Sequence, residues 1–329
     1  QVEGASMEFR NDRGEEVFEL PLSHVAQVNM SSKHEIALEF HVDDTAAVMD
    51  ECLTEMRLAI ADDVETDALI EAIKEKADTS AFAGESIVSF KDMPVIVPRG
   101  RYEVDMFPNH LKLHGKSVDY KILYSSVARL FLLPKPDDVH VAFVLSLDPP
   151  IRQGNTHYHH LVFQMQNDQQ TEVTLNLSEK DRKEKYDKLE LHESGELWRV
   201  FSKVVRHISK KPLHVSKTFS SKHNQRAVRT ALGPNEGYVF FLESCMFFLN
   251  KPPTYIRFDD VDLVEFKRMD NNRSFDLSVT LNNGQVTVFS NIDRGEFEVI
   301  RDFLEAHKVP MDGHLETGVG KKGELAKGE

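Results

Sequence analysis

Cysteine is scarce in this 329-residue chain: it has two, Cys52 and Cys245, far apart in sequence. Two such thiols form neither a disulfide framework nor a cysteine zinc site, and they point to a reducing compartment. No run of about 18 apolar residues occurs, so the sequence holds no candidate membrane helix. It shows no signal peptide. It opens on Gln1 rather than Met, and so reads as a portion of something longer. Glycine-rich phosphate loops, a nucleophile elbow and a zinc-protease helix are all missing. With them go the enzyme classes most easily read from sequence. The expectation is a protein with no catalytic residues, no cofactor and no metal.

Hydrophobic residues make up 40% of the chain. That is enough for a real core, and the length suggests two or three domains at roughly 100–200 residues each. The net charge of −14 is unevenly placed. Residues 1–85 carry 21 Asp/Glu against 6 Lys/Arg, and the remainder carries 33 against 34. Within that neutral remainder, residues 198–232 hold nine bases and no acid: Arg199, Lys203, Arg206, Lys210, Lys211, Lys217, Lys222, Arg226 and Arg229. A single-sign island speaks to partners rather than to fold. Its plainer reading is a solvated helix face followed by a polar linker.

One pattern recurs three times. "FELPLSHVAQV" (18–28), "YKILYSSVARL" (120–130) and "TYIRFDDVDLV" (254–264) each alternate into a Ser or Asp and then reach Val. The matched positions are Leu22/Tyr124/Phe258, Ser23/Ser125/Asp259 and Val25/Val127/Val261. Alternation of period two marks half-buried antiparallel strands, and a side-chain oxygen at the corner can hold it by bonding nearby backbone. Repetition of this kind argues for repeated modules. Leu197, Val200, Phe201, Val204, Val205 and Ile208 form one helical stripe after a candidate N-cap, Ser194. Phe297, Ile300, Phe303 and Leu304 form another after Asp293 and Glu296. "LNNGQV" reads as a hairpin with a two-residue turn at Asn283-Gly284.

The pattern predicts a mainly β fold, each copy a curved antiparallel sheet or barrel capped by a C-terminal helix, and this architecture resembles tandem pleckstrin-homology-like domains. The expected boundaries are a partial first copy at 1–61, lacking its upstream half, and an acidic helical linker at 62–85. Two full copies follow at 86–211 and 212–312, then a disordered tail at 313–329.

Residues 141–165, "VAFVLSLDPPIRQGNTHYHHLVFQM", read as two strands around a long polar loop. A tight hairpin needs only about two to five loop residues. Prolines stiffen the backbone, and binding residues concentrate on loops held by a rigid scaffold. Residues 148–158 are therefore the candidate contact surface, with Asp148, Arg152, Gln153, Asn155 and His157 as its residues and Arg152 and Gln153 at the tip. His157, His159 and His160 lack a visible third metal ligand, and plain strand positions explain them better. Phosphoinositide recognition is disfavoured, because the first-hairpin turns "MFPNHLKLHG" and "LGPNEGYVF" offer a single base, Lys112. The bases Lys203, Arg206, Lys210, Lys211, Lys217, Lys222, Arg226 and Arg229 allow at most weak, non-specific DNA contact.

The longest informative runs, "RLFLLPKPD", "SLDPPIRQG", "TLNL", "FFLNKPPTYIRFDDV" and "RSFDLSVTL", resemble the structure-specific recognition protein family, the small subunit of the FACT histone chaperone. The likeness extends from about Phe9 to Met311, and the front run "VFELPLSHVAQVNMSSKHEIALEFHVDD" is similar to the end of that family's N-terminal domain. The resemblance implies a non-enzymatic, nuclear, chromosome-associated chaperone subunit. It implies pairing with the large FACT subunit through the N-terminal domain, and a double pleckstrin-homology middle domain that binds core histones, preferentially the tetramer histones. It implies disassembly and reassembly of nucleosomes in transcription, replication and repair. The other reading is an adaptor whose modules recruit replication or transcription factors.

Overall fold

In the computed structural model, residues 2–32, 34–40, 53–61, 64–79, 86–116, 118–153 and 156–312 are described. The chain divides into two units, Gln1–Val215 and Ser216–Glu329. The disorder expected at 313–329 lies outside the described residues.

The first unit begins with six strands: β1 (Val2–Glu3), β2 (Ser6–Arg10), β3 (Glu16–Pro21), β4 (Val25–Ser32), β5 (Glu35–Phe40) and β6 (Glu55–Ala59). They form two three-stranded sheets, β1-β2-β3 and β4-β5-β6. An upstream set of strands is thus present in this front module, contrary to the expectation that it would be missing. Helix α1 (Thr66–Thr79) follows. Its Ile70 and Ile73 are buried in one cluster with Met7, Leu20, Leu22, Val25, Ile36 and Leu38. The acidic segment expected as a linker therefore caps the front module: its exposed face carries the charge and its other face is core.

The next module uses β7 (Val88–Val97), β8 (Arg99–Met106), β9 (His110–His114), β10 (Tyr120–Leu123), β11 (Val127–Pro134), β12 (His140–Gln153) and β13 (Thr156–Gln166). A small hairpin of β14 (Gln170–Thr174) and β15 (His192–Glu196) flanks the short helix α2 (Glu179–Lys185). Helix α3 (Leu197–Ser209) then closes the curled sheet, and β16 (Leu213–Val215) pairs in parallel with β11. The sheet order is β10-β9-β8-β7-β13-β12-β11-β16. The six apolar positions expected on the helix are all buried. Phe201 reaches furthest, with ring centroids 5.1 Å from Phe90, 5.5 Å from Phe143 and 4.9 Å from Phe163. Ser194 is not its N-cap; Glu196 precedes the helix, and Ser194 pairs with Glu172 inside the small hairpin. Strand β16 also keeps residues 212–215, expected to open the next module, with the first unit.

The second unit repeats the plan: β17 (Ala227–Leu232), β18 (Asn235–Leu242), β19 (Cys245–Leu249), β20 (Thr254–Arg257), β21 (Val261–Lys267), β22 (Ser274–Leu281), β23 (Val286–Asp293) and helix α4 (Phe297–Ala306). The order is β20-β19-β18-β17-β23-β22-β21. After α4 the chain returns to β21, where Val264 N–H donates to Pro310 O and Asp312 N–H to Val264 O. The turn at Asn283-Gly284 spans three residues rather than two. Leu281 pairs with Gln285 around it, and Gly284 takes φ +83° in the left-handed position that glycine occupies at no steric cost.

The threefold corner is real, and backbone holds it. Val25, Val127 and Val261 each donate N–H to the carbonyl three residues back, on Leu22, Tyr124 and Phe258. All six of these residues are buried. The side-chain oxygens expected to fix the corner do other things. Asp259 takes Arg257 at 2.7 Å, and in the middle module Ser126, not Ser125, donates to Leu123 O.

Ile73→Ala removes buried volume from the front core and is expected to cost that module about 2–5 kcal/mol. Native-state amide exchange across β4 and β5 measures the loss. Unchanged protection there would return α1 to the status of a linker.

Candidate partner-binding surface

Residues 148–158 are not a long loop. β12 ends at Gln153 and β13 begins at Thr156; Gly154 and Asn155 lie outside the described residues. Pairing runs to Ser146↔His160, breaks, and resumes at Ile151↔Tyr158, Arg152↔His157 and Gln153↔Thr156. The break absorbs Leu147, Asp148, Pro149 and Pro150 opposite His159 alone, a bulge that bends the hairpin. Proline has no N–H to give a ladder, so a bulge is where strands tolerate it. Read as breakers, the two prolines suggested a loop; placed at a bulge, they let the strands go on. Asp148 N–H is held by Ser126 O at 2.8 Å, and its side chain is exposed.

Strand alternation sends neighbours Arg152 and Gln153 to opposite faces. Gln153 Oε1 accepts from Tyr120 at 3.0 Å and from Tyr158 at 3.4 Å. It is half-buried and engaged inside the module, rather than presented at the tip. Arg152 is half-buried beside the exposed His157. His159 is exposed, while His160 turns inward, its Nδ1 2.9 Å from Ser146 Oγ. Burial, with His159 beside it, pushes His160 down to about 4, so its ring is neutral at ordinary pH. Among the described residues no group of three His, Cys, Asp or Glu could hold a metal ion.

The basic island is largely committed to the fold. Lys203 pairs with the buried Glu193 at 2.7 Å. Arg199 pairs with Glu196 at 3.3 Å and lies over Trp198. Lys222 binds Asp293 at 2.5 Å, and its backbone N–H donates to Glu296. Arg226 donates to the carbonyls of Lys217 and Phe219, and Arg229 pairs with Glu236 at 2.6 Å. Lys210 is the left-handed C-cap of α3, φ 56°, where its charge suits the negative end of the helix dipole. Among the described residues, Arg206, Lys210, Lys211 and Lys217 make no side-chain ion pair. Among the described residues, four of the nine bases thus carry an ion partner and Arg226 carbonyl partners.

Sequence reasoning missed a charged joint in the first unit. His114 Nε2 lies 3.3 Å from Asp105, and its Nδ1 lies 3.5 Å from Asp119. Asp119 also accepts from Gly115 N–H at 3.0 Å and pairs with Lys74 of α1 at 3.2 Å. Glu103 stands across the strand from His114, and Lys112 across from Asp105. The hydrogen bonds from Asp105 and Asp119 hold His114 up at about 9, against burial. Nothing in the local sequence marks these residues, because the joint draws on α1, β8 and β9.

Three family models cover the chain. The SSRP1 pleckstrin-homology domain matches 85–213, the middle domain of the Rttp106-like histone chaperones matches 226–313, and the structure-specific recognition protein model matches 1–86. Fold and matches together define a chain of pleckstrin-homology-like modules of the chromatin type. Among relatives, the FACT complex subunit SSRP1 of Dictyostelium discoideum is 34% identical over 97% of this chain and 68% of its own length. The FACT complex subunit pob3 of Schizosaccharomyces pombe is 38% identical over 91% of this chain and 62% of its own. The FACT complex subunit Ssrp1 of Drosophila melanogaster is 39% identical over 89% of this chain and 41% of its own. The chain belongs to the SSRP1/Pob3 family of FACT complex subunits. It spans 41% to 68% of the length of these relatives.

The two histidines titrate in opposite senses. A raised His114 adds stability that is full below its ordinary value of 6.5 and is lost as pH climbs through about 9. A depressed His160 costs stability as pH falls from 6.5 towards about 4. Thermal unfolding of the first unit is expected to weaken on either side of pH 6.5. His114→Gln should flatten the alkaline limb alone, and an unchanged alkaline limb in that variant would remove His114 from the account.

Proposed function

We propose that this chain is the histone-handling part of a FACT-type chaperone subunit. One observation carries the reading: the second unit matches the middle domain of a histone chaperone family, within a chain similar along nearly its whole length to FACT subunits. The proposed ligands are core histones, the tetramer histones foremost. The proposed partner is the large FACT subunit, engaged through the front module, and the setting is chromatin in the nucleus. Nucleosome disassembly and reassembly would follow from exchange of contacts between competing partners, with no covalent step and no cofactor.

The charge distribution supports a physical route. The acid-rich front of the chain competes with DNA for histone cations, while free cations such as Arg206 and Lys217 can meet displaced phosphates. Such surfaces give fast encounters that salt screens, more than tight complexes. The bent hairpin of β12 and β13 is the proposed contact surface, with Arg152 and His157 on its outward side and Asp148 at its base.

Titration of the chain with core-histone tetramer, read by fluorescence at two salt concentrations, is expected to saturate and to weaken at the higher salt. Arg152→Ala, which removes hydrogen-bond donors from the hairpin without adding an acid that would itself attract basic histones, should weaken it by up to about tenfold, the scale of one hydrogen bond. An unaffected titration would move the contact off the hairpin. No binding at either salt would overturn the histone reading of this part of the chain.

A further inference from the structure

Gln153 is tied to more than its own hairpin. Its acceptor oxygen receives Tyr120 from β10 and Tyr158 from β13. The Tyr120 and Tyr102 rings lie 5.9 Å apart, and their hydroxyls interact. Both rings are buried. Tyr102 is seated where side chains are excluded: a Cβ on Gly100 would meet its ring at 2.7 Å, and a Cβ on Gly115 would meet it at 2.7 Å as well. That close approach is a packing reason for glycine at both positions. Burial holds the Tyr120 hydroxyl well above its ordinary range, with Tyr102, Tyr158 and Glu39 adding to the shift, so it stays a donor.

The cluster continues into the front module. Asp119, next to Tyr120 in sequence, pairs with Lys74 of α1 at 3.2 Å and accepts from Gly115 N–H. The hairpin end thus meets β10 through Tyr120, and the residue before Tyr120 meets α1 through Lys74, all inside one unit.

We propose that Gln153 and Tyr120 are positioning residues that, through β10 and the Asp119–Lys74 pair, fix the pose of the β12–β13 hairpin relative to α1. The proposal rests on the reading of the hairpin as a contact surface. The hairpin exposes His157, and α1 exposes Asp67, Glu71 and Glu75. Gln153 serves the contact by setting the pose of its neighbours while it faces inward itself.

The test is hydrogen exchange of the full chain without histones, so a failed histone assay leaves it untouched. Gln153→Met removes the acceptor and Tyr120→Phe removes the donor, each with little change of volume. Each is expected to speed amide exchange by roughly two- to tenfold, the range of one lost hydrogen bond, both at residues 148–153 and in α1. The double variant should fall short of the sum of the single changes, because both remove the Tyr120–Gln153 bond, while Gln153→Met also removes the bond from Tyr158. A rise confined to the tip, additive effects, or no change at all overturns the proposal.

Discussion

The burial of Phe201 is the contact on which the middle module depends. Its ring meets Phe90, Phe143 and Phe163, which come from β7, β12 and β13. A curled antiparallel sheet has one open end, and a single helix must cover it. Edge-on contacts between aromatic rings fill that end densely and set the helix in one pose. Once α3 is set, the segment after the helix, β16 on β11, is set too. The second unit solves the same problem with Phe303 of α4, which packs on Phe219, Phe241 and Phe258. The front module solves it with aliphatic residues, Ile70 and Ile73. Helix capping thus recurs with two core chemistries, aromatic twice and aliphatic once.

Much of this was legible in the sequence because its signals are local. Period-two alternation located the strands, and the stripes from Leu197 to Ile208 and from Phe297 to Leu304 located two helices. The repeated Leu22, Tyr124 and Phe258 located the corners. What misled were local signals with two meanings. Asp148, Pro149 and Pro150 read as a loop, since proline breaks ladders; a bulge accommodates proline equally well, and its paired partner is known only once the register is known. The acids of α1 drew attention away from Ile70 and Ile73, whose burial needs the strands before them.

The candidate site was legible in composition and not in orientation. Arg152 and Gln153 stood out as polar residues between strands. That Gln153 faces Tyr120, 33 residues earlier, is fixed by the bend at the bulge and by the course of β10. The same limit hid the joint of Lys74, Asp119, His114 and Asp105, which brings three elements together. The basic island failed in the opposite way: its charge was plain, but Glu193, Glu236 and Asp293, which neutralise Lys203, Arg229 and Lys222, lie outside it in sequence.

The strands that follow the two helices have a mechanical consequence. In both units the chain leaves its capping helix and lies parallel on the outer edge strand, as β16 on β11 and as residues 310–312 on β21. The edge is thereby closed to outside strands by the chain itself. In the first unit this clip is also the road to the second. A load arriving at Val215 must strip the three register pairs Leu130↔Leu213, Phe131↔His214 and Leu132↔Val215 before it reaches α3. Peeling those three pairs would lengthen the chain between α3 and the second unit and leave the packing around Phe201 untouched.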